Sequence, residues 1–200
     1  MYGGFDMTYF LTHLEEDIKR LYTQLQISGP AYVDMHRIAA EFHVWVHYED
    51  TGSMMIKHQG LYSIILNRAL SSEEQWQDFA HELCHVLKHT GNHFNMHKLF
   101  RELQEFQAKQ FMYHFCVPTF MLLQMTLPNL RQQAILHIAQ TFHVTRAFAE
   151  KRLALFEQRR AGIQFQKEFT SYLMRASKVA ENEATYQTKA SAHVTSEVYS

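Results

Sequence analysis

The pentapeptide His81-Glu82-Leu83-Cys84-His85 sets two imidazoles four residues apart, with a carboxylate directly after the first. On an α-helix, residues at that spacing lie about 40° apart around the axis and about 6 Å apart along it. Both rings then reach one metal ion, and Glu82 addresses a water beside that ion. This is the arrangement of a zinc peptidase, with the histidines as ligands and the glutamate as general base. The chain holds 14 histidines. At this composition, a chance match is expected roughly 0.07 times per shuffled chain. The five letters alone do not decide the chemistry, and their surroundings have to.

The surroundings predict a helix from Ser72 to about His89. Ser71 as N-cap with Glu74 three residues on forms a capping box. Trp76, Phe79, Ala80, Leu83, Val86 and Leu87 recur at helical spacing, and Gly91 supplies a stop. One face of this helix packs, and the His81/His85 edge lies beside it. Upstream, an apolar pattern from Phe10 to Leu25 predicts a first helix that stops at Gly29-Pro30, and a short second helix covers Asp34 to Phe42. The period then changes to two. Val44, Val46 and Tyr48 alternate with His43, Trp45 and His47, Ser53 to Lys57 follows a turn, and Leu61 to Asn67 is the most apolar run. A small three-stranded meander is expected. Downstream, helices are expected near Asn95–Cys116, Thr119–Leu127, Leu130–Thr141, Thr145–Arg159 and, after a break at Gly162, Ile163–Ala176.

A catalytic zinc takes three protein ligands and keeps a fourth position for water. Beyond His81 and His85, the downstream helix offers Glu102 and Glu105, and His93, His97 and His114 are also available. Glu105 stands three residues before the small Ala108, which would let its helix approach the motif helix closely. Tyr62, His93 and Tyr113 are oxyanion donors by type alone. Asp78, three residues before His81, could accept the second N–H of a ligand imidazole, but it reads better as a solvated surface carboxylate. His89 continues the histidine edge, but a fourth protein ligand would close the site. It reads better as a helix-terminal histidine favoured by the dipole.

Taken with Glu105-x-x-Ala108-x-x-Phe111 and Pro118, the motif resembles the ImmA/IrrE family of metallopeptidases, over roughly Asp34 to Leu155. The resemblance implies His81, His85 and Glu105 as ligands of one Zn2+ ion and Glu82 as catalytic base. It implies an α+β fold: a mostly helical zincin-like domain with a small three-stranded sheet and a C-terminal helical, helix-turn-helix-like segment. It also implies cleavage of a protein substrate, a helix-turn-helix transcriptional repressor, with a catalytically silent regulator of a repressor or antitoxin as the alternative. The chain departs from the family at Cys84, where members usually carry Gly, and at Met112 to Val117. Cys84 reads as a small buried hydrophobe, or else as an adventitious metal or redox site.

Composition bounds the rest. Two hundred residues with 46% apolar content support one domain with a helical appendage. The expected division is an N-terminal helix over 1–30, the peptidase domain over 31–127, a helical subdomain over 128–176 and a mobile tail over 177–200. A net charge of −1 gives no pull toward nucleic acid. Arg131, Arg146, Lys151, Arg152, Arg159 and Arg160 are interleaved with Glu150 and Glu157, so direct DNA binding is not expected. There is no basic leader and no apolar run long enough to span a membrane. Two cysteines make no disulfide framework. The expected location is the cytoplasm.

Overall fold

The computed structural model describes residues 9–88 and 97–197, with side chains through residue 178. The chain divides into two compact units, Met1–Phe156 and Glu157–Ser200. The fold is α+β, mostly helical with one small sheet.

In the first unit, α1 (His13–Gln24) opens on a capping box in which Thr12 Oγ1 accepts from the Glu15 N–H, and the Glu15 carboxylate accepts from the Thr12 N–H at 2.7 Å. Ile18 and Tyr22 form its buried face. The Tyr22 hydroxyl donates to the Phe115 carbonyl at 2.7 Å, so even this aromatic core residue has its polar end satisfied. After a 3-10 turn at Pro30–Tyr32, the Asp34 side chain caps α2 (Met35–Glu41).

The sheet comprises β1 (Val44–Glu49), β2 (Met54–His58) and β3 (Leu61–Asn67). Its order is β1-β3-β2, with β1 parallel to β3 and β2 antiparallel to it, so the expected meander is replaced by a sheet with the last strand in the middle. The physical reason is burial. Ile64 and Leu66 are fully buried, and a strand with neighbours on both sides shields such side chains best. The β2–β3 hairpin turns at Gln59-Gly60, both at positive φ, the backbone that a tight two-residue hairpin needs.

Then come α3 (Ser72–Lys88), α4 (Lys98–Cys116), the single turn α5 (Thr119–Leu122) and α6 (Arg131–Phe142). His143 reverses the chain in the left-handed conformation, and α7 runs from Arg146 to Glu197. The expected stop at Gly162 does not occur. A glycine inside a helix costs only about 1 kcal/mol, and the flanking Glu, Gln, Arg and Ala residues are good helix formers.

Arg152 is fully buried. Its Nε donates to the Val117 carbonyl at 3.0 Å and its Nη2 to Thr119 Oγ1 at 2.6 Å. Thr119 in turn donates to Glu15 at 2.5 Å, and Tyr9 donates to the same carboxylate at 2.8 Å. His114 Nδ1 lies 3.7 Å from Glu15. This polar cluster joins α1, α4, α5 and the start of α7 inside the first unit. It also removes Arg152 from the basic surface set. Of the others, Arg131 lies 3.5 Å from Glu150 and Arg146 donates to Gln132.

Candidate metal centre

The helix that carries the motif is built as its sequence demands. The Ser71 N–H donates to the Glu74 carboxylate at 2.9 Å, and the Glu74 N–H donates back to Ser71 Oγ at 3.3 Å. Trp76, Phe79, Ala80, Leu83 and Cys84 are buried in the core. That packing fixes the rotation of α3 and leaves His81 half-buried and His85 buried. α4 lies alongside α3, with Ala108, Phe111 and Phe115 fully buried.

The structure brings His81, His85 and Glu105 together. His81 Nε2 is 3.3 Å from His85 Nε2 and 3.2 Å from Glu105 Oε2, and His85 Nε2 is 3.6 Å from Glu105 Oε1. Donors held about 2.0–2.1 Å from a tetrahedral zinc ion stand about 3.3–3.4 Å from one another. The observed separations fit a metal of that size and geometry, and two imidazoles with one carboxylate are a donor set suited to zinc. No second group of this kind is found among the described residues.

Glu82 follows His81 directly on α3 and is half-buried. Burial is the main cause that raises its carboxyl to about 7, with the nearby Glu105 and Asp78 charges acting in the same sense. A hydrogen bond from the Met55 backbone on β2 opposes them. The carboxyl thus sits between the helix and an edge strand, poised near neutrality.

The other candidates lie elsewhere. Glu102 pairs with Lys98 at 3.7 Å. His97 caps α4, its Nδ1 accepting from the Leu99 N–H at 3.3 Å. His114 belongs to the Glu15 cluster. Tyr113 packs on the Phe148 ring, and Lys57 lies over the Tyr62 ring. Gly91, His89 and His93 fall outside the described residues. Cys84 is buried, and that burial pushes its thiol up to about 12, which describes an inert core side chain. The one partner of Glu82 that residue types could not reveal is the Met55 N–H, because any residue there offers the same amide.

A model of the IrrE N-terminal-like domain, Peptidase_M78, matches residues 39–154. The chain belongs to that family. The matched range takes in the whole sheet, both helices of the metal centre and the buried Arg152. Among curated relatives, the IrrE-like chain is 64% identical over 165 residues to the phage-like element PBSX protein XkdA of Bacillus subtilis (strain 168), covering 82% of this chain and 83% of that one. It is 37% identical over 150 residues to protein YqaB of the same strain, covering 75% of this chain and 87% of that one. Among solved structures, a Mycobacterium tuberculosis transcriptional regulator superposes at a TM-score of 0.48 with 12% identity, over 72% of this chain and 48% of that chain. No helix among the described residues is long and apolar enough to cross a membrane.

Proposed function

We propose that this IrrE-like chain is a zinc-dependent endopeptidase that hydrolyses a peptide bond in a protein substrate. The observation that carries the reading is the triangle of His81, His85 and Glu105 donor atoms with the Glu82 carboxyl directly beside it. Those three residues would hold the ion. Bound there, zinc supplies Lewis acidity toward the scissile carbonyl and lowers the pKa of a water. The chain's own contribution is proton handling. Glu82 accepts the water proton on its carboxylate as the water attacks, then delivers it to the departing amine. Burial of this carboxyl raises its affinity for a proton, the sense that a general base requires.

The substrate we propose is a helix-turn-helix transcriptional repressor in the cytoplasm, cleaved to release the genes it silences. Support comes from the family match and from the similarity to a protein named for a phage-like element. Co-expression with the repressors encoded beside the gene tests this directly. Intact-mass analysis should find discrete repressor fragments with the wild type and none with Glu82→Gln. Fragments that persist in the Glu82→Gln strain would refute the mechanism. A repressor that stays whole yet is bound by both proteins would point to the silent regulator instead.

A further inference from the structure

The part of α7 inside the second unit carries an apolar stripe that faces solvent. Phe165, Phe169, Tyr172 and Leu173 are 69%, 51%, 67% and 49% exposed. Phe165, Phe169, Tyr172 and Ala176 follow one another at spacings of four, three and four, the pattern of helices that pair along a seam. The Phe165 and Phe169 rings already stack, with centroids 6.1 Å apart and planes 7° apart. Side chains of this size present roughly 450 Å² of apolar surface per copy. An apolar patch of this size is as large as the largest on a typical monomeric protein, and such patches are often functional.

Charge and side-chain size select the occupant. Glu168 immediately precedes Phe169, and Arg175 immediately precedes Ala176, so both lie on the same edge of the stripe. They stand about 10 Å apart along one helix and do not meet within it. A second copy running antiparallel, with its Tyr172 packed on Phe169, carries its own Arg175 to Glu168 and its Glu168 to Arg175. Two-fold symmetry makes the ion pair twice. The same register seats the large Phe165 against the small Ala176 of the second copy, again twice. A parallel partner would stack Phe on Phe and Tyr on Tyr, and would bring Glu168 toward Leu173 rather than a cation. With the flanking residues included, two copies bury about 1,000 Å², the lower bound for a specific contact.

We propose that this chain forms an antiparallel homodimer along the Phe165–Ala176 stripe of α7, with Glu168 and Arg175 fixing direction and register. The contact is isologous, so it closes at two copies.

Sedimentation of the full chain tests this. From about 1 to 100 µM the wild type should shift reversibly from monomer to dimer. The double variant Phe169→Glu/Tyr172→Glu should remain monomeric with unchanged helical circular dichroism. Glu168→Arg and Arg175→Glu, taken singly, should each weaken the dimer about tenfold, because each replaces two attractions with two repulsions. Combined in one chain they should restore the affinity to within about threefold of wild type, since the pair is merely exchanged. A wild type that stays monomeric, single reversals that dimerise as tightly as wild type, or a combined variant without recovery would each overturn the proposal. The charge exchange separates self-pairing from docking of another protein, whose surface would not change sign with it.

Discussion

The Nε2 atoms of His81 and His85 stand 3.3 Å apart on one edge of α3, and Glu105 of α4 closes the triangle within 3.6 Å of both. Two imidazole nitrogens and one carboxylate at these separations form a donor set that would hold a zinc ion. Alanine at His81, His85 or Glu105 should lower zinc affinity by more than about 100-fold. Elemental analysis after dialysis reads the occupancy. Glu102→Ala, which disturbs only the exposed pair with Lys98, should keep it. Zinc held at about 1,000 times its dissociation constant should add about 4 kcal/mol of stability to the wild type, and a chelator should remove it. Full occupancy in Glu105→Ala would displace Glu105 from the ligand set.

Glu82 touches the same centre differently. Its substitution by Gln keeps the shape and the Met55 hydrogen bond but cannot carry the proton. Zinc occupancy should therefore be unchanged while cleavage falls by about 10²–10⁴. An equal loss of metal and activity would make Glu82 a ligand rather than a base.

How much of this could be read from the chain alone differs by element, and range explains the difference. His81 and His85 are four residues apart, so helical periodicity already placed them on one edge, with Glu82 next to the first. The first strand was visible from its alternation and the third from its apolar run, but their order was not. Which strand flanks Leu61–Asn67, and in which direction, is decided by non-local pairing that alternation does not encode. The partner of Glu82 is a backbone amide, which leaves no mark in residue types. Arg152 sat in a run of surface-like charges. Only the fold shows that Val117, Thr119 and Glu15 draw it into the core.

Cys84 and Cys116 are both buried, with thiols raised by burial, Cys84 to about 12. Neither should react with a thiol reagent at pH 8 in the folded protein, and both should react on unfolding. Rapid labelling of Cys84 with retained structure would reopen a redox role for it.

Arg152 offers a test of the first unit's interior. Truncation to Ala removes the donors to the Val117 carbonyl and Thr119 and leaves Glu15 with a buried charge. Breaking a buried pair from one side costs about 3–5 kcal/mol. Urea unfolding should show a loss of that size, and Arg152→Lys should recover only part, because a single ammonium cannot serve two acceptors in the guanidinium's fixed geometry. A loss below about 1 kcal/mol would mean that the cluster is ornamental.

The neighbouring His114 gives the cluster a pH signature. Burial, reinforced by the Arg152 charge and opposed by Glu15, lowers its pKa from 6.5 to about 4. The folded protein thus keeps His114 neutral where the unfolded chain has already bound a proton. Stability from this source is complete above pH 6.5 and drains away as pH falls from 6.5 toward 4, by about 3 kcal/mol at most. Glu15, whose carboxyl is also held below its ordinary value, adds a further loss below pH 4.5. Zinc binding would itself depend on pH, so the measurement belongs on chelator-treated protein. Urea midpoints between pH 4.5 and 7.5 should fall steeply for the wild type. His114→Gln, which has nothing to protonate, should flatten the part of that slope above pH 4.5. Identical slopes would show that His114 is protonated in the fold, paired as a cation with Glu15.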